Sequence, residues 1–510
     1  MTFQKKLPEN VVFFLLKTPE NVETCLSKTS ENVETFLLET PENVEFHHQK
    51  THKNVQLYLS KYKFMPYTIN MIRKIYNDLL YWKKSGSKKP LLVIGARQIG
   101  KTFIIEEFIQ NEFSESITFN LFNRPDICAI FAENIPVPEK LLKMELLIGK
   151  KIDFENTLIF FDEVQHSEDI IAALKYFAED STNYKIICAG SLLGVKINRL
   201  SKPFPVGKVE MLKMYPMDFE EFLWANDETG LTEEISICYE KNKNMSEPLH
   251  EKCLKLYRTF LCSGGMPEAV ADIIKNNNDV LLFNSSILSN IRIAYLADMT
   301  KYVISKAESI KIEAVYNSIP TQLGNKSNKF QYSEIKKGAR SRDYSTALEW
   351  LVSSGMIYLC DAVTALQMPL KGYIRNDFFK IFLNDTGILC NHLGIRLSEI
   401  MLDNDFYYKG IITENYAAAQ FVSGGIPLYY WRNENSQELD FLLDTQDGII
   451  PIEVKSGKNK VSPSLSYFCS MYKSPYAIKI RKGNFGFTDK IRNVPLYAVF
   501  CCTRQYGQAK

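Results

Sequence analysis

Between Leu91 and Thr102 the chain reads LLVIGARQIGKT, and no other stretch restricts its fold as tightly. Leu91 to Ile94 is short and wholly apolar, as suits a strand buried on both faces. Gly95-Ala96-Arg97-Gln98-Ile99-Gly100-Lys101-Thr102 then fits the phosphate-loop spacing G-x-x-x-x-G-K-[ST] at every fixed position, and a helical pattern follows. The spacing has a physical cause. Glycine at 95 and 100 lets the backbone wrap closely, so that its N–H groups cradle phosphate oxygens. Lys101 is placed to neutralise β/γ oxygens, and the Thr102 hydroxyl to bind Mg²⁺. Every residue from 95 to 102 is therefore an expected nucleotide-binding position, with ATP and Mg²⁺ as the expected ligands.

Such a loop needs a second, acidic strand, and TLIFFDEVQ supplies one some 60 residues on. Thr157 to Phe161 is apolar and β-prone, and it ends in Asp162-Glu163. The first carboxylate is expected to hold Mg²⁺ through water, the second to orient and activate the attacking water. YKIICAGSLLG reads as a further buried strand, ending at Ser191. Ligands sit beyond the carboxyl ends of such strands. Ser191 is therefore expected to join Lys101 and Glu163 as a catalytic group; a plain turn is the other reading of this Gly-Ser pair. Arg199 reads either as an arginine finger for a neighbouring subunit or as a solvated surface residue. His166 has no partner in view and reads as structural.

The motifs GARQIGKT, IFFDEVQ, GSLLGV, FPVGKVEMLKMYPMDFEEFL, GGMPEAV, LEWLVSSGMIYL, FKIFLNDTGIL, ITENYAAAQ and PIEVKSG occur in this order. In that combination the chain, from about Met71 to its end, resembles a bacterial and archaeal family of AAA-superfamily ATPases with a C-terminal region of unknown function. The resemblance and the residue patterns together imply an α/β fold with a parallel-sheet P-loop core at 65–207. A helical lid at 208–300 follows, then a winged-helix-like domain at 301–400. A C-terminal α/β domain like a restriction endonuclease closes the order at 401–510. In the winged-helix segment a helix from Ser333, a turn at Gly338 and a second helix from Asp343 bring Lys336, Lys337, Arg340 and Arg342 together. That cluster reads as a phosphate-contacting patch or as an ordinary solvated face.

DFLLDTQDGIIPIEVKSG, from Asp440 to Gly457, reads as a hairpin. With its turn between Gln446 and Asp447, Asp440 faces Glu453, and Phe441 faces Ile452. Opposed carboxylates repel unless a cation lies between them. A bulge at Gly448 would change that register. The order Glu414, Asp440, Glu453-x-Lys455 resembles the PD-(D/E)xK nuclease core, although Leu439 stands where the proline would be. Glu414, Asp440, Glu453 and Lys455 are thus a candidate second metal site; a retained scaffold neutralised by Lys455 is the alternative.

The first 64 residues repeat with a period of 11, as in Pro8-Glu-Asn-Val11 and Pro19-Glu-Asn-Val22. Each Thr-Pro-Glu-Asn unit is expected to open a helix too short to stand alone. The segment reads as a weakly ordered extension, or as translation upstream of a true start at Met65 or Met71. The net charge of +2 gives no global field for a polyanion, so any DNA or RNA contact must be local. Eleven cysteines without a CxxC or a paired spacing fit a reducing cytosol. No apolar run approaches the roughly 20 residues that span a bilayer. The expectation is a cytoplasmic ATPase that couples hydrolysis to movement of its C-terminal domains. An ATP-gated nuclease, or a non-cleaving switch acting on a nucleic acid, a protein or its own copies, are the alternatives.

Overall fold

The computed structural model describes residues 12–17, 23–28 and 33–38, and from residue 71 onward all except 325–328, 434–436, 458–462, 473, 489 and 508–510. The chain divides into two compact units, 1–68 and 69–510. In the first, β1 (Val12–Lys17), β2 (Glu23–Lys28) and β3 (Val33–Leu38) form an antiparallel sheet, with Val12 opposite Lys28 and Glu23 opposite Leu38. The repeat thus builds strands where short helices were expected. A six-residue strand draws its hydrogen bonds from its neighbours, whereas so short a helix cannot repay its nucleation cost. The Thr-Pro-Glu-Asn junctions lie outside the described residues.

In the second unit β4 (Leu91–Ile94), β5 (Glu115–Asn120), β6 (Thr157–Asp162), β7 (Lys185–Gly190) and β8 (Glu210–Lys213) form a parallel sheet in the order β5-β6-β7-β4-β8. All six residues of β6 are buried, which explains its unbroken apolar run. Register aligns the carboxyl ends: Ile94 lies opposite Gly190, and Asn120 opposite Asp162. The phosphate loop, the acidic pair and Ser191 therefore leave the sheet along one rim. The sheet takes its fifth strand from beyond residue 207, the expected end of the core, because β8 pairs with β4.

Helices Phe219–Ala225, Glu247–Ser263, Pro267–Lys275 and Ser286–Asp298 follow. Asp218 and Glu221 form a reciprocal capping box at the first of these. The buried Asp385 carboxylate accepts from the Gly265 amide at 2.6 Å and the Ile388 amide at 2.8 Å, so it pins the Gly264–Gly265 turn to a distant helix start.

Helices Tyr332–Ile335 and Ser341–Ser353 precede β9 (Ile357–Val363) and β10 (Ile374–Leu383). These strands join β11 (Tyr429–Arg432), β12 (Glu438–Thr445), β13 (Gly448–Lys455), β14 (Ala477–Arg481), β15 (Gly486–Thr488) and β16 (Ile491–Pro495). The result is one eight-stranded sheet, ordered β10-β9-β11-β12-β13-β14-β16-β15. The expected boundary at residue 400 therefore falls between strands of a single sheet. In the β12–β13 hairpin Phe441 pairs with Ile452, Leu443 with Ile450 and Thr445 with Gly448, which is the unbulged register read from the sequence. Among the described residues no helix is long and apolar enough to cross a membrane.

Candidate nucleotide site and a second charged cluster

Gly95 leaves β4 at φ 151°, and a Cβ there would stand 2.3 Å from the Met214 carbonyl oxygen. Only glycine fits so close an approach. Arg73 anchors the loop from below: its guanidinium donates to the Ile99 carbonyl at 2.9 Å and to the Tyr215 carbonyl at 2.7 Å, and pairs with Glu221 at 3.2 Å. Lys101 opens the helix Lys101–Glu112, and its Nζ donates to the Gly95 and Ala96 carbonyls at 3.0 and 2.6 Å. Burial pulls its pKa down to about 8, against the opposing pull of Glu163 and Asp162. Its nearest hydrogen-bond partners are thus neutral, and the ammonium lacks a full countercharge.

Thr102 Oγ1 lies 3.2 and 3.3 Å from the two Asp162 carboxylate oxygens. Burial and then the neighbouring Glu163 hold Asp162 above the ordinary carboxyl range, so a divalent cation would relieve the carboxylate. The pair fits Mg²⁺. Asn120, at the end of β5, donates to the same carboxylate at 3.2 Å. Glu163 sits at φ 53° and accepts from the Gln165 side-chain amide. Ser191 is buried just beyond β7.

Arg97, in the loop, pairs with the buried Asp298 at 2.9 Å, at the end of helix Ser286–Asp298. Arg199, partly exposed, pairs with Glu308 and donates to the Tyr302 carbonyl. His166 meets Phe122 edge-on at 5.4 Å. Lys336, Lys337, Arg340 and Arg342 are all exposed around their turn. Ser353 and Gly355, at the end of the following helix, come back to the nucleotide rim. A Cβ on Gly194 would meet the Ser353 carbonyl at 2.3 Å, and one on Gly355 would stand 3.4 Å from the Ala96 nitrogen.

The second cluster centres on a residue the sequence reading passed over. Lys380, buried in β10, donates to Glu414 at 2.9 Å and pairs with Glu438 at 2.7 Å. Burial presses its pKa down, but Glu414, Glu438 and Asp440 together outweigh burial and raise it well above the ordinary lysine range. Lys455 pairs with Glu453 at 2.7 Å, and the Val454 amide donates to Asp440 at 2.7 Å. Burial, with Glu414 adding to it, pushes the Asp440 carboxyl well above its usual range. Glu414, Asp440, Glu453 and Lys455 thus lie in one charged neighbourhood. Among the described residues, however, no three acidic, histidine or cysteine side chains are arranged to hold a metal ion. Lys380 pairs with Glu414 and Lys455 with Glu453, so two of the four expected ligands already have a cation beside them. A lysine inside the apolar run FFKIFL was the available signal, since a buried ammonium requires anions around it.

Residues 87–223 match the family model described as an AAA domain. Residues 254–399 and 409–499 match two models described as domains of unknown function, DUF8612 and DUF4143. A comparison with curated proteins finds no match. Among solved structures, the Walker-type ATPase PABY2304 of Pyrococcus abyssi is 14% identical, with 65% of this chain and 99% of that one covered, at a TM-score of 0.39. The Aeropyrum pernix ORC2 protein, in ADPNP–ADP complexes, is 12% identical over 70% of this chain and 96% of that one, at 0.32. The Thermotoga maritima RuvB Holliday junction branch migration motor is 12% identical over 56% and 89%, at 0.26. At these scores they are loose likenesses only. The AAA-domain match at 87–223 and the loop-bearing parallel sheet coincide, and the matches to two domains of unknown function follow them along the chain.

Proposed function

We propose that this protein hydrolyses Mg·ATP at residues 95–102 and uses nucleotide state to move the winged-helix-like segment that follows. When bound, Mg²⁺ supplies charge neutralisation on the phosphate oxygens, and Thr102 and Asp162 would hold it. Lys101 gives up its weak carbonyl contacts for phosphate oxygens. Glu163 accepts the proton of the attacking water, and Ser191 donates to the γ-phosphate side. The observation that carries the coupling is the Ser353–Gly355 turn lying against Ala96 and Gly194. A shift of the loop on phosphate entry would reach that turn, most directly where Gly194 closes on the Ser353 carbonyl. Ten described cysteines are free thiols, which supports work in the cytosol. Any contact with DNA or RNA falls to Lys336, Lys337, Arg340 and Arg342, and would weaken steeply with salt.

The test is ATP turnover together with hydrogen exchange across 341–356. Glu163→Gln is expected to bind ATP without turning it over, and ATP is expected to change exchange in that segment. Turnover unaffected by both Lys101→Ala and Glu163→Gln contradicts the site; unchanged exchange contradicts the coupling. In the nuclease-like C-terminal domain, the carboxylates around Lys380 act as an ion-pair scaffold rather than a cleavage centre. Plasmid, single-stranded DNA and RNA with Mg²⁺ or Mn²⁺ should stay intact. Cleavage that disappears in Asp440→Ala would overturn that assignment.

A further inference from the structure

Gln165 follows the acidic pair by two residues and plays no part in the scheme above. Its side chain is 4% exposed. A carboxylate accepts and cannot donate, so the amide must turn its Nε2 toward Glu163 Oε2, with which it is hydrogen-bonded. That orientation fixes the other end of the amide. Oε1 lies 2.1 Å from where a Cβ on Gly190 would stand, and its Cδ at 3.2 Å. No described side chain or backbone group donates to this buried oxygen. Gly190 is the last residue of β7, immediately before Ser191.

The amide therefore bridges two strand ends. One end holds the carboxylate expected to take the water's proton; the other rests on the strand that presents the expected γ-phosphate sensor. Burying an amide with an unmet acceptor is costly, so the arrangement is not a neutral way to fill space. Gly190 has no side chain because the amide occupies the place of its Cβ. Glu163, half-buried and at a left-handed φ, has no other described hydrogen-bond partner for its carboxylate.

We propose that Gln165 is a positioning residue for ATP hydrolysis, holding the Glu163 carboxylate in register with the Gly190–Ser191 strand end. The proposal rests on Glu163 being the base. Loss of the amide frees the carboxylate to swing, which slows the chemical step without touching any group that holds the nucleotide. Gly190→Ala should act in the same way, because its methyl occupies the space of Oε1.

The experiment is steady-state ATP hydrolysis by the full chain, with fluorescent-nucleotide binding measured alongside. Gln165→Met, similar in length and apolar, is expected to lower kcat about 10- to 100-fold, with KM and nucleotide affinity within about twofold of wild type. Gly190→Ala is expected to lower kcat similarly, and the double variant no further than the worse single one. Gln165→Glu keeps shape but sets two carboxylates together, and should fall at least as far as Gln165→Met. Unchanged or raised kcat in Gln165→Met, a parallel loss of affinity, or multiplying effects in the double variant would each overturn the proposal. Glu163→Gln is the control. If hydrolysis survives it, the base assignment fails first; if Glu163→Gln is inactive while Gln165→Met is normal, only the bridge fails.

Discussion

Lys101 and Lys380 are both buried ammonium groups, and the protein treats them in opposite ways. Lys101 is met by two carbonyl oxygens of its own loop, and burial takes it down to about 8. Lys380 is met by Glu414 and Glu438, and ends well above the ordinary lysine range. The first is a charge prepared for an anion that arrives; the second already has its anions. Two lysines that look alike in a sequence thus separate a ligand site from an internal scaffold, and the separator is what surrounds each one.

The sharpest break would come from removing each charge in turn. Lys380→Met takes the buried ammonium from between the half-buried Glu414 and Glu438, and should cost about 3–5 kcal/mol in urea unfolding. A loss under about 1 kcal/mol would mean the carboxylates are not held by that lysine. Lys101→Met should do the reverse. Nucleotide affinity should fall roughly 100-fold, about 3 kcal/mol, while stability holds or rises because an under-compensated buried charge is gone.

Asp385 is a third buried charge, and it stands between the two cases. Three backbone amides hold it, yet burial raises its pKa to about 6. The folded chain then binds a proton more tightly than the unfolded chain, whose aspartate titrates near 3.9. This group's favourable contribution is full below about 4 and is lost as pH rises through about 6, a difference on the order of 2–3 kcal/mol. Asp385→Asn keeps an amide-accepting cap and should flatten that part of the profile. A variant whose urea midpoint still falls between pH 4 and 6.5 as steeply as wild type would assign the slope elsewhere. The smallest effect is expected at Gly355, whose φ is 74°. Gly355→Ala should cost about 1 kcal/mol of stability and raise KM for ATP a few-fold through Ala96. An unchanged KM would detach the turn from the loop.

The sequence made some of this plain for physical reasons. A phosphate loop is local: its glycines, lysine and threonine lie within eight positions, and the acidic strand of the same sheet is as buried as its apolar run demanded. The β12–β13 register followed from alternation about one turn. Partners distant in the chain were not legible. Lys380 meets Glu414 and Glu438 only once eight strands are ordered, and β9 and β10 join strands that were assigned to another domain. Arg97 meets Asp298 across some 200 positions. The N-terminal repeat was misread because Thr-Pro resembles a helix start, whereas the strands β1–β3 lie between those tetrapeptides.

The most direct test is a single calorimetric titration of Mg·ATPγS into wild type, Lys101→Met and Lys380→Met, at a temperature where circular dichroism shows all three folded. The account predicts binding to wild type and to Lys380→Met with similar affinity, and binding weakened roughly 100-fold in Lys101→Met. An affinity in Lys101→Met within a few-fold of wild type, or binding that fails in a folded Lys380→Met, would contradict it.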